Sequence, residues 1–276
     1  MQFNYLKMHG TGNRILVVDQ REKNMPPPDS ATLRQLGNAA TGPGFDQLMW
    51  VTAAQHPGDL AAYRVFNADG SEVEQCGNGV RCVARALARD ASVPREFTLE
   101  SPTGTVSAAI LDDGQVSISM GAPAFDPARI PFIADNEQLL YSLEVDGQQF
   151  DVAVVSMGNP HCVLQVDDVA HAGVAKIGPL IERHERFPER VNVGFMSIVD
   201  RGSIVLRVHE RGVGETLACG TGACAAVVAG QRLGLLDETV DVRLPGGQVV
   251  VSWRGENEAV WLTGSAELIS EGTVQL

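Results

Sequence analysis

Positive charge is scarce in this sequence. Lys and Arg total 21 against 34 Asp and Glu, a net charge of −13 over 276 residues. That deficit excludes a nucleic-acid binder, because phosphate contacts need a basic surface. No apolar stretch is long enough to cross a bilayer, and no secretory hydrophobic segment follows Met1. A membrane partner is therefore not expected, and the cytoplasm is the default compartment. A C-x-x-C pair is also lacking. The cysteines are Cys76, Cys82, Cys162, Cys219 and Cys224, odd in number and scattered. Neither a disulfide framework nor a structural zinc site fits that spacing, whereas reduced thiols do. Phosphate cradles are missing as well. No Walker lysine follows the glycine pairs, and in His9-Gly10-Thr11-Gly12 the third glycine of a dinucleotide fingerprint is replaced by Ile15.

What remains reads mostly as short strands. Val106–Ile110, Val116–Met120, Val152–Met157, Ile204–Val208, Val249–Trp253 and Ala259–Leu262 are β-branched or alternating runs. Asp69-Gly70, Asp113-Gly114, Asp146-Gly147 and Gly246-Gly247 separate such runs as turns. One helix is predicted over Ser30–Leu36 with Asp29 or Ser30 as its cap, and another within Ile177–Arg186 starting at Pro179. A third follows Cys76-Gly77-Asn78-Gly79. It places Val80, Val83, Ala84 and Leu87 on one face and Arg81, Arg85 and Arg89 on another. A fourth follows Cys219-Gly220-Thr221-Gly222. Its residues Ala223 to Ala229 are small and apolar all round, so it is predicted to be buried on every side, with a sheet curled around it and Gly234 capping its end.

The last two helices expose an internal repeat. Cys-Gly-Asn-Gly at 76–79 matches Cys-Gly-Thr-Gly at 219–222. Asn67 stands nine residues before Cys76, and Glu210 nine before Cys219. Gly12-Asn13 and Gly158-Asn159 each close an early strand of their half. Three matches in one order imply duplication, hence two domains facing a cleft.

The chemistry follows from where the cysteines stand. The first turn of a helix has N–H groups without intrahelical partners and carries partial positive charge. Both features favour a thiolate and predict a thiol pKa lowered from its usual range. The glycines would let an anion approach those N–H groups. A substrate carboxylate could then be held by the N–H groups of Gly77, Asn78, Gly220 and Thr221, with one sulfur on each face of its α-carbon. One thiolate would remove the α-proton while the opposite thiol delivers one, which is the two-base geometry of inversion. The helix ends would stabilise the carbanionic transition state, so neither a pyridoxal cofactor nor a metal is needed. A lone cysteine is ordinarily a small buried hydrophobe, and Cys82, Cys162 and Cys224 are read that way. Taken singly, Glu210-Arg211 is an ordinary surface ion pair and His161 could equally be structural. Gln47 and Asn192 carry little signal alone.

Together these motifs resemble the diaminopimelate epimerase family over the whole chain. The resemblance runs through Met8-His9-Gly10-Thr11-Gly12-Asn13, Gly44-Phe45-Asp46-Gln47 and Asn67-Ala68-Asp69-Gly70-Ser71. It continues through Cys76 to Cys82, Gly158-Asn159-Pro160-His161 and the diagnostic run from Glu210 to Gly222. The resemblance implies an α+β fold of two pseudo-symmetric domains, each a barrel-like, mostly antiparallel sheet wrapped around a central helix. The first half would comprise 1–118 plus 263–276 and the second 119–262. It implies epimerisation of LL- to meso-diaminopimelate in lysine and peptidoglycan precursor synthesis, without a cofactor, and a homodimer. Cys76 and Cys219 are implied as the acid–base pair, with His161 and Glu210 tuning the thiols. Asn13, Gln47, Asn67, Gly77, Asn78, Asn159, Asn192, Glu210, Arg211, Gly220 and Thr221 are implied as substrate contacts. Arg211 would pair with the distal carboxylate and Glu210 with the distal ammonium of the substrate. Two departures stand out. Arg14-Ile15 replaces the family's usual Asp-Phe, and Ser270 replaces an aromatic near the family's dimer contact. Three other classes compete with this reading. They are a proline-type racemase without the distal ion pair, a thiol-redox or metal protein, and a non-catalytic amino-acid-binding module.

Overall fold

Two compact units divide the chain in the computed structural model, which describes residues 2–23, 25–73 and 76–276. One unit comprises Met1–Ser119 and Thr263–Leu276, the other Met120–Leu262. Some strands alternate buried and exposed residues, as in Tyr141–Val145 and Thr239–Leu244, while others such as Gln47–Thr52 and Pro160–Gln165 are buried along most of their length.

In the first unit, strand Gln2–Gly10 pairs antiparallel with both Asn13–Asp19 and Glu267–Gln275. Asn13–Asp19 runs parallel to Gln47–Thr52, which is antiparallel to Ala61–Asn67. Ala61–Asn67 is parallel to Glu96–Ser101, and Gly104–Ile110 returns antiparallel beside it. Parallel neighbours need crossovers, and helices supply them. Helix α1 (Ser30–Gly37) makes the first, and helix α2 (Gly77–Leu87) lies in the second. Asp29 caps α1 by accepting the Thr32 N–H, as the sequence predicts.

The second unit repeats that series of pairings. Gln148–Ser156 is antiparallel to Pro160–Gln165, which is parallel to Asn192–Asp200. Asn192–Asp200 is antiparallel to Ser203–Glu210, which is parallel to Thr239–Leu244, and Gly247–Ser252 returns antiparallel. Helix α3 (Val174–Glu182) and helix α4 (Gly220–Arg232) occupy the two crossovers. The repeat seen in the motifs is thus a repeat of topology.

Helix α3 differs from its sequence reading. It starts at Val174, and Pro179 lies inside it rather than at its first turn. Val174, Gly178, Ile181 and Glu182 are its buried positions, a helical period that packs the segment despite the missing N–H. Gly178 is required there, because a Cβ would meet His209 Cβ at 2.7 Å.

Helices α2 and α4 are enclosed by their own strands. Val80, Val83 and Ala84 are fully buried, as are Ala223 to Val228. The second half of α4 is held close to the Leu233–Leu236 turn by Gly230, whose missing Cβ would stand 2.3 Å from Leu236 Cδ1. Gly230→Ala should therefore overpack the core and destabilise the protein by about 1–3 kcal/mol. Urea unfolding with an unchanged m-value would measure it, and a variant as stable as the parent would contradict this packing.

Candidate active site

Each C-G-x-G motif forms a helix N-terminus with the cysteine as the capping residue. Cys76 has φ −144° and ψ 107°, and its Sγ accepts the Gly79 N–H at 3.4 Å. Cys219 has φ −114° and ψ 109°, and its Sγ accepts the Gly222 N–H, again at 3.4 Å. A sulfur thus takes the place of the usual capping oxygen. The second glycine of each motif serves packing. At Gly79 a Cβ would meet Met49 Sδ at 2.4 Å, and at Gly222 it would meet Val208 Cγ2 at 3.0 Å and Cys219 Sγ at 3.2 Å.

In the first unit, Gly77 and Asn78 open the helix capped by Cys76, while Asn13, Gln47 and Asn67 form a set of their own. Gln47 and Asn67 face each other across antiparallel strands, and Gln47 pairs with Ile15, two residues along from Asn13, on the parallel neighbour. Their side chains connect. Asn13 Nδ2 donates to Gln47 Oε1 at 3.4 Å, and Gln47 Nε2 donates to Asn67 Oδ1 at 3.1 Å. Arg81 departs from its expected place on a separate face from the apolar positions. It is fully buried, donating from Nη2 to Thr11 Oγ1 at 2.8 Å and Asn78 Oδ1 at 2.9 Å, and from Nε to the Ser265 carbonyl at 3.5 Å. It fixes the Asn78 amide and the tight turn where Thr11 has φ 54° and Gly12 φ 82°. Arg14 pairs with Asp46 at 2.7 Å on the exposed surface, next in sequence to Asn13 and Gln47.

Around Cys219, the second unit gathers Asn159, His161, Asn192, Glu210, Arg211, Gly220 and Thr221. His161 Nε2 lies 2.9 Å from Asn159 Oδ1, Asn159 Nδ2 donates to Thr221 Oγ1 at 3.4 Å, and Thr221 Oγ1 lies 3.5 Å from Cys219 Sγ. Because the amide oxygen only accepts, His161 donates, and Thr221 is left to donate to sulfur. Asn192 spends its amide on the backbone. It donates to the Pro160 carbonyl at 3.0 Å and accepts the Arg211 N–H at 3.0 Å. Arg211 is exposed and donates to the Glu189 carbonyl at 3.1 Å. Glu210 accepts from the Thr216 hydroxyl.

The Cys219 thiol is held well above its ordinary pKa, contrary to the expected lowering at a helix start. Burial is the main cause and the Glu210 charge the next, outweighing donation from Thr221 and the Gly222 N–H. The three remaining cysteines are buried as expected. Burial pushes Cys82 up to about 12 and raises Cys162 as well.

Several supporting residues carry no local sequence signal. Glu182 is buried at the end of α3. It lies 2.9 Å from His209 Nε2 and accepts the Gly212 N–H at 2.9 Å, so it braces both sides of Glu210-Arg211. Thr216 lies inside the Glu210–Cys219 run, whereas Glu182 is distant from it in sequence. Among the described residues, His56, Asp59 and Glu100 have a spacing compatible with a metal ion. The Glu100 carboxylate there is already engaged by the N–H groups of Gln55 and His56 and by His56 Nδ1 at 2.8 Å, which explains the cluster as a capped loop.

Comparison with known proteins adds the family. A sequence model described as diaminopimelate epimerase matches residues 5–125 and 153–269. The chain is 50% identical to a diaminopimelate epimerase of Stutzerimonas stutzeri and 49% identical to one of Nitrosomonas europaea, covering 100% of both chains in each case. Among solved structures, a probable proline racemase from Agrobacterium radiobacter matches with a TM-score of 0.71 at 19% identity, over 99% of this chain and 93% of that one. At that identity the likeness is one of fold.

The His161 ring gives this half-site a pH signature. Burial, followed by the Arg211 charge, pushes its pKa down to about 3. In the unfolded chain a histidine titrates near ~6.5. Between those values the unfolded chain binds a proton that the native state refuses, so the contribution is complete above the unfolded pKa and is lost as pH falls. Parent protein should lose urea-midpoint stability between neutral and mildly acidic pH, and His161→Gln should lose less. Equal losses in both proteins would contradict a neutral, buried imidazole.

Proposed function

Because the chain belongs to the diaminopimelate epimerase family, we propose that it interconverts LL- and meso-diaminopimelate with Cys76 and Cys219 as its acid–base pair. The observation that carries this reading is the equivalent placement of the two cysteines. Each caps the helix in the second parallel crossover of its unit, with its sulfur on the N–H three residues ahead.

The proposed step is a balanced proton exchange. One thiolate takes the α-proton, the electron pair stays on the α-carbon, and the other cysteine's S–H supplies a proton to the opposite face. The Cys219 thiol, held protonated by burial and Glu210, suits the donor role in the substrate-free enzyme. Backbone N–H groups of Gly77, Asn78, Gly220 and Thr221 would take the reacting carboxylate, where negative charge grows in the transition state. Thr221 would steady the sulfur, with Asn159 and His161 holding Thr221 in turn. After one turnover the thiol and thiolate have exchanged states, which readies the enzyme for the reverse direction. Lysine and peptidoglycan precursor synthesis is the corresponding metabolic role.

Substrate choice is assigned to the Glu210–Arg211 segment, with Asn67 and Asn192 beside it. Arg211 keeps most of its donors available beyond the Glu189 carbonyl, and a planar guanidinium matches a distal carboxylate. A proline-type racemase would have no use for such a clamp.

Two measurements test the proposal. Exchange of the α-hydrogen in deuterated water with LL- and meso-diaminopimelate should be abolished by Cys76→Ala and by Cys219→Ala and retained by Cys162→Ala. Near-parent turnover by either of the first two would remove the two-thiol mechanism. Arg211→Met should lower kcat/KM for diaminopimelate by about tenfold to a hundredfold, the value of a hydrogen bond to a charged group. Parent-like turnover, or turnover of proline instead, would reassign the substrate.

A further inference from the structure

The amide chain of Asn13, Gln47 and Asn67 has a direction, and its source lies outside the substrate contacts. Asp69 carries a carboxylate, which at neutral pH can only accept. It takes the Ser71 N–H at 2.8 Å and the Ser71 hydroxyl at 2.6 Å. The only hydroxyl proton of Ser71 is then spent. Towards its other neighbour, Ser71 Oγ can only accept, and Asn67 Nδ2 donates to it at 3.1 Å. That contact turns Asn67 Oδ1 the other way, where it accepts from Gln47 Nε2 at 3.1 Å. Gln47 Oε1 must then receive Asn13 Nδ2, at 3.4 Å. Reversing any one amide would set oxygen against oxygen or N–H against N–H. The orientation of all three amides is therefore set from the Asp69 end, and the open end of the chain is Asn13 Oδ1, an acceptor.

We infer that Asp69 and Ser71 are positioning residues that polarise the Ser71–Asn67–Gln47–Asn13 chain, so that Asn13 offers its amide oxygen to a cationic N–H donor of the substrate. The class of group recognised there is an ammonium, not a carboxylate. Half-burial of Asn13, Gln47 and Asn67 strengthens the chain, since hydrogen bonds polarise one another where water is partly excluded. Asp69 is well suited to anchor it. The two bonds from Ser71 hold its carboxyl below the usual carboxylate range, so it stays ionised through the neutral region. The inference rests on the epimerase reading only for the identity of the substrate.

Ser71→Ala removes the hydroxyl that transmits the polarity, and Ser71→Thr keeps it. Selective 15N labelling of Asn and Gln reads the side-chain NH2 resonances of Asn13 and Gln47 in the substrate-free protein. In Ser71→Ala those resonances should move although neither residue touches position 71, and Ser71→Thr should return them to parent positions. KM for LL-diaminopimelate should rise about tenfold in Ser71→Ala with kcat within about threefold, the pattern of lost ground-state binding. Asp69→Ala frees the Ser71 proton and should behave as Ser71→Ala. Unmoved Asn13 resonances in a folded Ser71→Ala variant would overturn the relay. Moved resonances with an unchanged KM would overturn its role in binding. A parent protein inactive on diaminopimelate would overturn the substrate reading instead, leaving the resonance measurement intact as the test of the relay.

Discussion

A sulfur accepting a backbone N–H three residues ahead, at 3.4 Å in both units, is the contact around which the two half-sites are arranged. It makes the cysteine part of the helix terminus, so the thiol cannot drift from the donors of the first turn. The helix in turn is fixed by the strands around it. Those strands close in because Ala223 to Val228 are small, and because Val80, Val83 and Ala84 fill one face of α2. Packing of the helix against its strands therefore sets the thiol geometry, through a glycine at 79 that admits Met49 and one at 222 that admits Val208.

Electrostatics then separates the generic property of such a cap from the particular one. A helix start favours a thiolate, and at Cys219 burial and Glu210 reverse that preference. Glu210 is itself held by Thr216, and its strand end is braced by Glu182 through His209 and Gly212. Burial thus leads in keeping the sulfur protonated and carboxylate placement adds to it, with the strand end beside Glu210 packed against α3 where Gly178 meets His209.

Much of this was legible in the sequence, for identifiable reasons. Strand alternation, turn glycines and the paired C-G-x-G motifs are local signals, and the helices after Cys76 and Cys219 begin where the caps predict. The topological repeat could be read because duplication preserves order. What could not be read depends on contacts distant along the chain. Arg81 has the spacing of a surface arginine, and its bonds to Thr11 and Ser265, distant in sequence, help to hold it buried. Glu182 resembles any helix-terminal glutamate until His209 is packed against it. Propensity favours Pro179 at a helix start, and the tertiary burial of Val174 and Gly178 prevails over it. Net pKa direction at Cys219 was unreadable, since desolvation has no sequence pattern.

The pairing of Gln2–Gly10 with Glu267–Gln275 bears on the order in which the two half-sites form. The second unit is one continuous stretch, Met120–Leu262, and all its strands exist once that stretch is made. The first unit has its cysteine-bearing helix early but draws the strand Glu267–Gln275, and the Ser265 carbonyl bound by Arg81, from beyond the sequence of the second unit. Pairing across that span carries the larger loop-closure cost, so the first unit waits on residues 263–276 to close, whereas the second can close on contiguous sequence alone.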